Sequence, residues 1–413
     1  MKRVLFISFI FLSQLVFANT IVVGKNQVIT SLRKGIEVAK NGDTILLQKG
    51  TYKEGNIIIN KSIHLIGVNE PVLDGENKYE ILTVSGERII IKGIRFQNSG
   101  YSSMNDYAAI SLVDARNCIV ENNFIDHAFF AIHIANASNC IISNNVIKGN
   151  PKTEQTSGNA IHLWKCDSMV IENNNVQGHR DGIYFEFVTH SFIRQNISHN
   201  NIRYGLHFMF SNNDSYIGNS FIENGSGVAV MYSHHVIMHS NTFQLNWGPN
   251  AYGLLLKEIS DASIVNNIFD KNTIGILMES TNRIKVQLNN FKNNGWALRI
   301  QASCDESIVH HNNFFANTFD VATNGTLMLN KFYNNYWDKY EGYDMNKDGI
   351  GDIVYHPVSM YSMVIEQNPN SLLLLRSFMV SLLDKAEKAI PSLTPENLID
   401  EQPLMRRVNH DQN

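Results

Sequence analysis

An asparagine recurs along this chain at Asn122, Asn144, Asn174, Asn196, Asn219, Asn241, Asn267, Asn289, Asn312 and Asn330, most often 22 or 23 residues apart. Three residues before each stands an apolar side chain, from Ile119 and Ile141 through Tyr216 and Met238 to Leu327. Two residues after, another apolar residue follows, usually phenylalanine, with Ser198 the exception. Each such repeat is too small to bury its own apolar face, so it must stack on its neighbours as a solenoid.

Between the asparagines run short alternating segments opened by a small residue, such as Gly182–Phe187, Gly205–Phe210, Gly227–Tyr232 and Gly275–Glu279. Period-two alternation marks strands with one face inward. Two or three short strands per 22 residues, closed by polar turns, predict an all-β fold, a right-handed parallel β-helix. Successive coils then stack about 4.8 Å apart, and the asparagines form an inward ladder at a bend, where amides satisfy one another. Residues 19–80 are expected to hold an N-terminal cap, with a short helix near Gly35, and the first coils. Such a cap covers sheet edges that otherwise invite association. The β-helix proper is expected over 81–343, a terminal loop over 344–370 and a helical tail over 371–413.

Lys2 and Arg3 precede the apolar stretch Val4–Phe17, and Val16-Phe17-Ala18 has the form of a cleavage site. Residues 1–18 therefore read as a secretory signal peptide, with the mature chain starting near Asn19. The net charge of −4 argues against a nucleic-acid partner. Four cysteines are too few for a disulfide scaffold. Cys118 and Cys140 share a repeat position, so stacked thiols are the simpler expectation and a disulfide the alternative.

Taking the small residue that opens the second strand as origin, the position two further on faces outward and carries His133, His162, Tyr184 and His207. The position four further on carries Trp164, Glu186, Met209 and Met231. His207 and Met209 lie on one strand about 7 Å apart, with Met231 one coil on. Imidazole with thioethers suits a soft cation, Cu(I) above all, which makes His207, Met209 and Met231, with His133 and His162, the candidate Cu(I) ligands. The simpler alternative is ordinary sheet-surface side chains covered by a loop. Two insertions, Asn150–Gly158 and Gly248–Tyr252, lengthen turns on the same side and bracket these coils, as insertions building a binding face do.

Parallel β-helices also host carbohydrate-active enzymes, which need clustered carboxylates or a carboxylate with Arg, His or Tyr. Here His179-Arg180-Asp181 with Tyr184 and Glu186 is the best candidate, but no acidic ladder repeats along an outward column. Asp181 before Gly182 reads equally as a turn residue. The run from Asp344 to Asp352 offers Asp344, Asn346, Asp348, the Ile350 carbonyl and Asp352 at calcium-loop spacing. Tyr355 stands where an EF-hand has its glutamate, and an Asx turn closing the last coil is the alternative. In the tail, Leu372, Leu375, Phe378, Met379, Leu382 and Leu383 follow helical spacing over a run too short to span a bilayer. They either cap the open end of the solenoid or dock onto a partner.

Over essentially its whole length the chain resembles the NosD family. The resemblance rests on the leader, the Asn-x-Phe coils, Tyr204–Asn213, Gly227–Tyr232, Asn334–Asp338, the Asp344–Asp352 loop and the apolar tail. It implies a non-enzymatic periplasmic maturation factor of nitrous oxide reductase. Such a subunit associates with an ABC-type permease and ATPase, receives Cu(I) from a copper chaperone lipoprotein and passes it to the apo-reductase. The tail would then contact the permease.

Overall fold

The computed structural model describes residues 18–102, 104–151, 153–325, 329–389 and 398–409. The leader expected at the N-terminus thus lies almost wholly outside the described residues. From Thr20 the chain winds into a parallel β-helix whose strands stack into three sheets of 14, 13 and 12 strands. Each coil runs through the 12-stranded sheet, then the 14-stranded, then the 13-stranded; Ala108–Val113, Ile119–Glu121 and Phe124–Asp126 are one example. Every strand pair is parallel and in register, Ile119 facing Ile141 and Ile141 facing Val170. Inward residues form one continuous core. Within it Phe243, Phe269, Phe291 and Phe314 stack at centroid spacings of 4.6 to 4.8 Å and end on Trp337.

The asparagine ladder exists, but its register differs from the sequence expectation at three positions. Its members are Asn123, Asn145, Asn174, Asn196, Asn219, Asn241, Asn267, Asn289, Asn312 and Asn335. Asn122 and Asn144 are exposed turn residues at φ 54° and 55°. Asparagine tolerates that left-handed conformation, so Asn-Asn pairs offered two candidates for one inward place. Asn330 belongs to another column, where it accepts from Ser307 N and donates to the Cys304 carbonyl. Each mid-ladder amide is fully used: Asn241 donates to Tyr216 O and Asn267 Oδ1, and accepts from both the backbone and side-chain nitrogens of Asn219. A second ladder, Asn201–Asn224–Asn246–Asn272–Asn294–Asn317, lines another bend.

Both ends are covered. Helix α1 (Leu32–Val38) lies over the first coils, with Leu32 and Ile36 in the core. Glu54 fixes its start by accepting from the Leu32 and Arg33 backbone amides. At the other end the sequence reading of one helical tail over 371–413 is corrected. Helix α2 (Met360–Gln367) already precedes it, a 3-10 turn spans Pro369–Leu374, and α3 runs Phe378–Ala389. The described residues 398–405, inside the expected helical tail, are not helical. They pair with the last coil through Phe332–Asp400 and Tyr336–Leu404 bridges. Helices α2 and α3 instead pack on the outer face of the 12-stranded sheet, around Phe319, Tyr361, Ile365 and Val380.

The four cysteines are free and buried. Cys118 and Cys140 stack as thiols, the Cys118 amide donating to Cys140 Sγ at 3.4 Å.

Candidate functional site: a covered imidazole and thioether face

The outward columns of the 12-stranded sheet are those read from the sequence. Register pairs His133 with His162, His162 with Tyr184 and Tyr184 with His207, and, on the other column, Glu186 with Met209 and Met209 with Met231. The rings form an unbroken row, with centroids 4.9 Å apart for His133–His162, 4.7 Å for His162–Tyr184 and 5.0 Å for Tyr184–His207. Tyr184 therefore separates the two histidine groups. The five residues expected to bind Cu(I) do not converge on one point: His133 and His162 lie at one end, and His207, Met209 and Met231 at the other.

The two ends differ chemically. His162 Nδ1 takes a hydrogen bond from the Asn159 amide at 3.3 Å, and His133 lies 3.8 Å from the Asp106 carboxylate. Burial pushes the His133 imidazole down, against the Asp106 carboxylate, and the His162 imidazole down to about 3, so burial disfavours the charged form of both. At the other end His207 is only 6 % exposed. It points outward, yet Tyr184 and Tyr204 pack on it at 5.0 and 4.9 Å. Its accessible position on the sheet surface, read from the alternation, is thus corrected to a covered one. Its Nε2 is buried and has no hydrogen-bond partner. Met209 is half-buried beside the Tyr184 hydroxyl, 3.9 Å from its sulfur. Met231 packs into a small separate cluster of Ala229, Tyr252, Leu255 and Ile274 on the same outer face.

Beneath Arg203, Asp181 is wholly buried. Arg203 forks onto it, Nε to Oδ1 at 2.9 Å and Nη2 to Oδ2 at 2.5 Å. Burial opposes the Asp181 charge, but His207 and Arg203 together outweigh it and hold the carboxyl below its usual range. Arg203 also reaches Glu154, on the first expected insertion, at 3.6 Å. Sequence reasoning missed Arg203 altogether and took Asp181 for a turn or catalytic residue. Neither stands in an outward column, so periodicity could not find them.

Insertions do wall this face. The one expected at Gly248–Tyr252 is shorter, because Tyr252 is the first residue of strand Tyr252–Lys257. A third insertion went unnoticed between strands Arg95–Gln97 and Ala108–Val113, and it carries Asp106. Its signal was the span from Gln97 to Ala108, long for this corner. It and the 150–158 insertion enclose a cleft of about 450 Å³ lined by Tyr101, Phe129, Pro151 and the buried His179.

Around Asp344 the oxygens expected at calcium-ligand positions accept backbone amides. Asp344 takes those of Lys347, Asp348 and Gly349, Asp348 that of Ile350 and Asp352 that of Met345. The loop is thus closed by Asx turns. Among the described residues, no three His, Cys, Asp or Glu side chains are grouped as metal ligands.

A parallel solenoid that carries a covered imidazole and two thioethers on one outer face defines a protein of the parallel β-helix class. The sequence profile of the family described as "Periplasmic copper-binding protein (NosD)" matches residues 143–347. A "Probable ABC transporter binding protein NosD" of Pseudomonas aeruginosa is 26 % identical over 399 residues, 90 % of either chain. The chain belongs to the NosD family. Among solved structures, the surface adhesin PfbA of Streptococcus pneumoniae aligns over 73 % of this chain and 86 % of its own, with a TM-score of 0.56 at 15 % identity. The catalytic unit of a GH87 α-1,3-glucanase from Streptomyces thermodiastaticus aligns over 74 % and 62 %, also at 0.56 and at 11 % identity. These likenesses show the fold alone.

Proposed function

We propose that this chain is a periplasmic copper-delivery subunit for the maturation of nitrous oxide reductase. In this reading it works with an ABC-type permease and ATPase, takes Cu(I) from a copper chaperone lipoprotein and loads the apo-reductase. The family description supplies copper and the periplasm, and the relative's name supplies the transporter. The observation that carries the reading is His207 Nε2, buried without a partner on the face that also bears Met209 and Met231. One imidazole with thioethers and no thiolate binds a soft monovalent cation and lets it go, as a carrier must. The family is described by binding rather than catalysis, and Asp181 of the best enzymatic candidate is engaged by Arg203.

The tail supplies the partner side of the reading. Leu373 is 90 %, Phe378 82 % and Met379 56 % exposed, with Leu372 and Leu382 also outward. Leu375 and Leu383 are half-buried, Leu375 against the Phe319 cluster. No helix among the described residues is long and apolar enough to cross a membrane. An exposed apolar surface on α3 and the preceding turn fits docking onto a permease.

Anaerobic Cu(I) titration against a competing chelator tests the site, with the mature chain beside His207→Ala/Met209→Ala. Binding that the double variant loses supports the assignment, whereas equal binding by both chains sinks it.

A further inference from the structure

The two ring nitrogens of His207 face different surroundings. Nδ1 lies 3.4 Å from Arg203 Nη2 and 3.9 Å from Asp181 Oδ2. A guanidinium only donates, so wherever Nδ1 accepts from Arg203 the ring proton sits on Nε2. In that tautomer Nε2 has no lone pair for a cation. A cation held at Nε2 requires the proton on Nδ1, and a ligating imidazole commonly gives that proton to a carboxylate. The carboxylate on that side is Asp181, buried and ionised. Arg203 has somewhere else to go, because Glu154 already lies 3.6 Å from its Nη1.

We propose that Asp181 is a positioning residue for cargo exchange at His207, and that Arg203 and Asp181 hold the ring in two alternative tautomers. In the empty chain Arg203 donates to Nδ1 and Nε2 carries the proton. In the loaded chain Nδ1–H donates to Asp181, Nε2 holds the soft cation, and Arg203 leans to Glu154 on the 150–158 insertion. One proton leaves Nε2 and one arrives at Nδ1 through solvent, so the proton count is unchanged and nothing is oxidised or reduced. The inference rests on the reading of His207 as a cargo ligand. It adds that displacing the insertion changes where Arg203 rests, and with it the readiness of Nε2.

The test is two-bond ¹H–¹⁵N correlation NMR of the mature chain labelled in its histidine rings, with and without one equivalent of Cu(I) under argon. His207→Gln identifies the signal. The expected result is an Nε2–H ring without copper and an Nδ1–H ring with it. An unloaded ring already protonated on Nδ1, or a loaded ring still protonated on Nε2, overturns the proposal. A His207 signal that copper leaves unchanged, with no Cu(I) retained against a competing chelator, overturns the cargo reading and this inference with it, whereas retained Cu(I) with the Nε2–H pattern intact overturns this inference alone. Variants give a second readout. Asp181→Asn should weaken Cu(I) binding about 10- to 100-fold, while Arg203→Met, which removes the competing donor, should tighten it. Equal weakening by both would assign the pair a merely structural role and overturn the proposal.

Discussion

Asn335 donates its side-chain amide to Asp400 Oδ2 at 2.9 Å, so the asparagine ladder ends on a carboxylate from a distant part of the chain. The same oxygen accepts from Asn335 N and Trp337 Nε1. An acceptor-only group is what the last rung needs, since its donors have no following coil to meet.

Asp400→Ala should therefore destabilise the protein by about 2–3 kcal/mol, because buried donors lose their acceptor. Urea unfolding checks this, and an unchanged midpoint would show that the end of the solenoid finds another acceptor. It follows that deleting 371–413 cannot serve as a test of docking, since it removes Asp400 and Leu404 with the apolar helix.

Docking is better tested by Leu373→Ser with Phe378→Ser and Met379→Ser. These side chains are exposed, so thermal stability should hold. Co-purification with a membrane permease should be lost, and undiminished co-purification would assign α3 to covering the sheet.

The ladder register has its own contrast. Asn241→Ala should cost about 2–3 kcal/mol by orphaning buried donors and acceptors. Asn122→Gly should cost almost nothing, since glycine suits the left-handed turn there. Equal effects in equilibrium unfolding would contradict the inward assignment of the ladder.

Asp214 gives a pH signature. Burial pushes its carboxyl up to about 8, against the hydrogen bond it accepts from Ser191 N. The folded state therefore holds this proton more tightly than the unfolded chain. The stabilisation is complete below the unfolded carboxyl range, near pH 4, and is lost as pH rises toward about 8. Asp214→Asn should keep the bond to Ser191 and remove the penalty, raising the melting temperature more at pH 8 than at pH 5. A gain independent of pH would mean that Asp214 is ionised in the folded chain. His179 runs the other way. Burial lowers it to about 4, so its contribution is present above the unfolded histidine range, near pH 6.5, and is lost as pH falls toward 4.

The solenoid was legible because stacking demands the same kind of side chain at the same place in every coil. The outward columns were legible for the same reason: His207 and Met209 lie in the register the alternation predicted. What periodicity could not show is cover. Tyr204 opens its strand ahead of the small residue used as origin, Arg203 sits in a turn, and Asp106 and Glu154 sit on insertions, so none belonged to a counted column. Asn122 and Asn123 illustrate the other limit. A turn and an inward ladder both favour asparagine, and only the packed coil decides between neighbours.

The long ladder is also directional. Each asparagine gives both its nitrogens to the Oδ1 of the next coil, from Asn123 to Asn145 and onward to Asn312 and Asn335. A coil added at the C-terminal side thus brings one acceptor for two waiting donors, while a coil added at the other side brings two donors to one acceptor already in place. A chain that emerges N-terminus first exposes donors until the next coil arrives. Assembly of this molecule has a built-in forward sense, and it is complete only when Asp400 closes it.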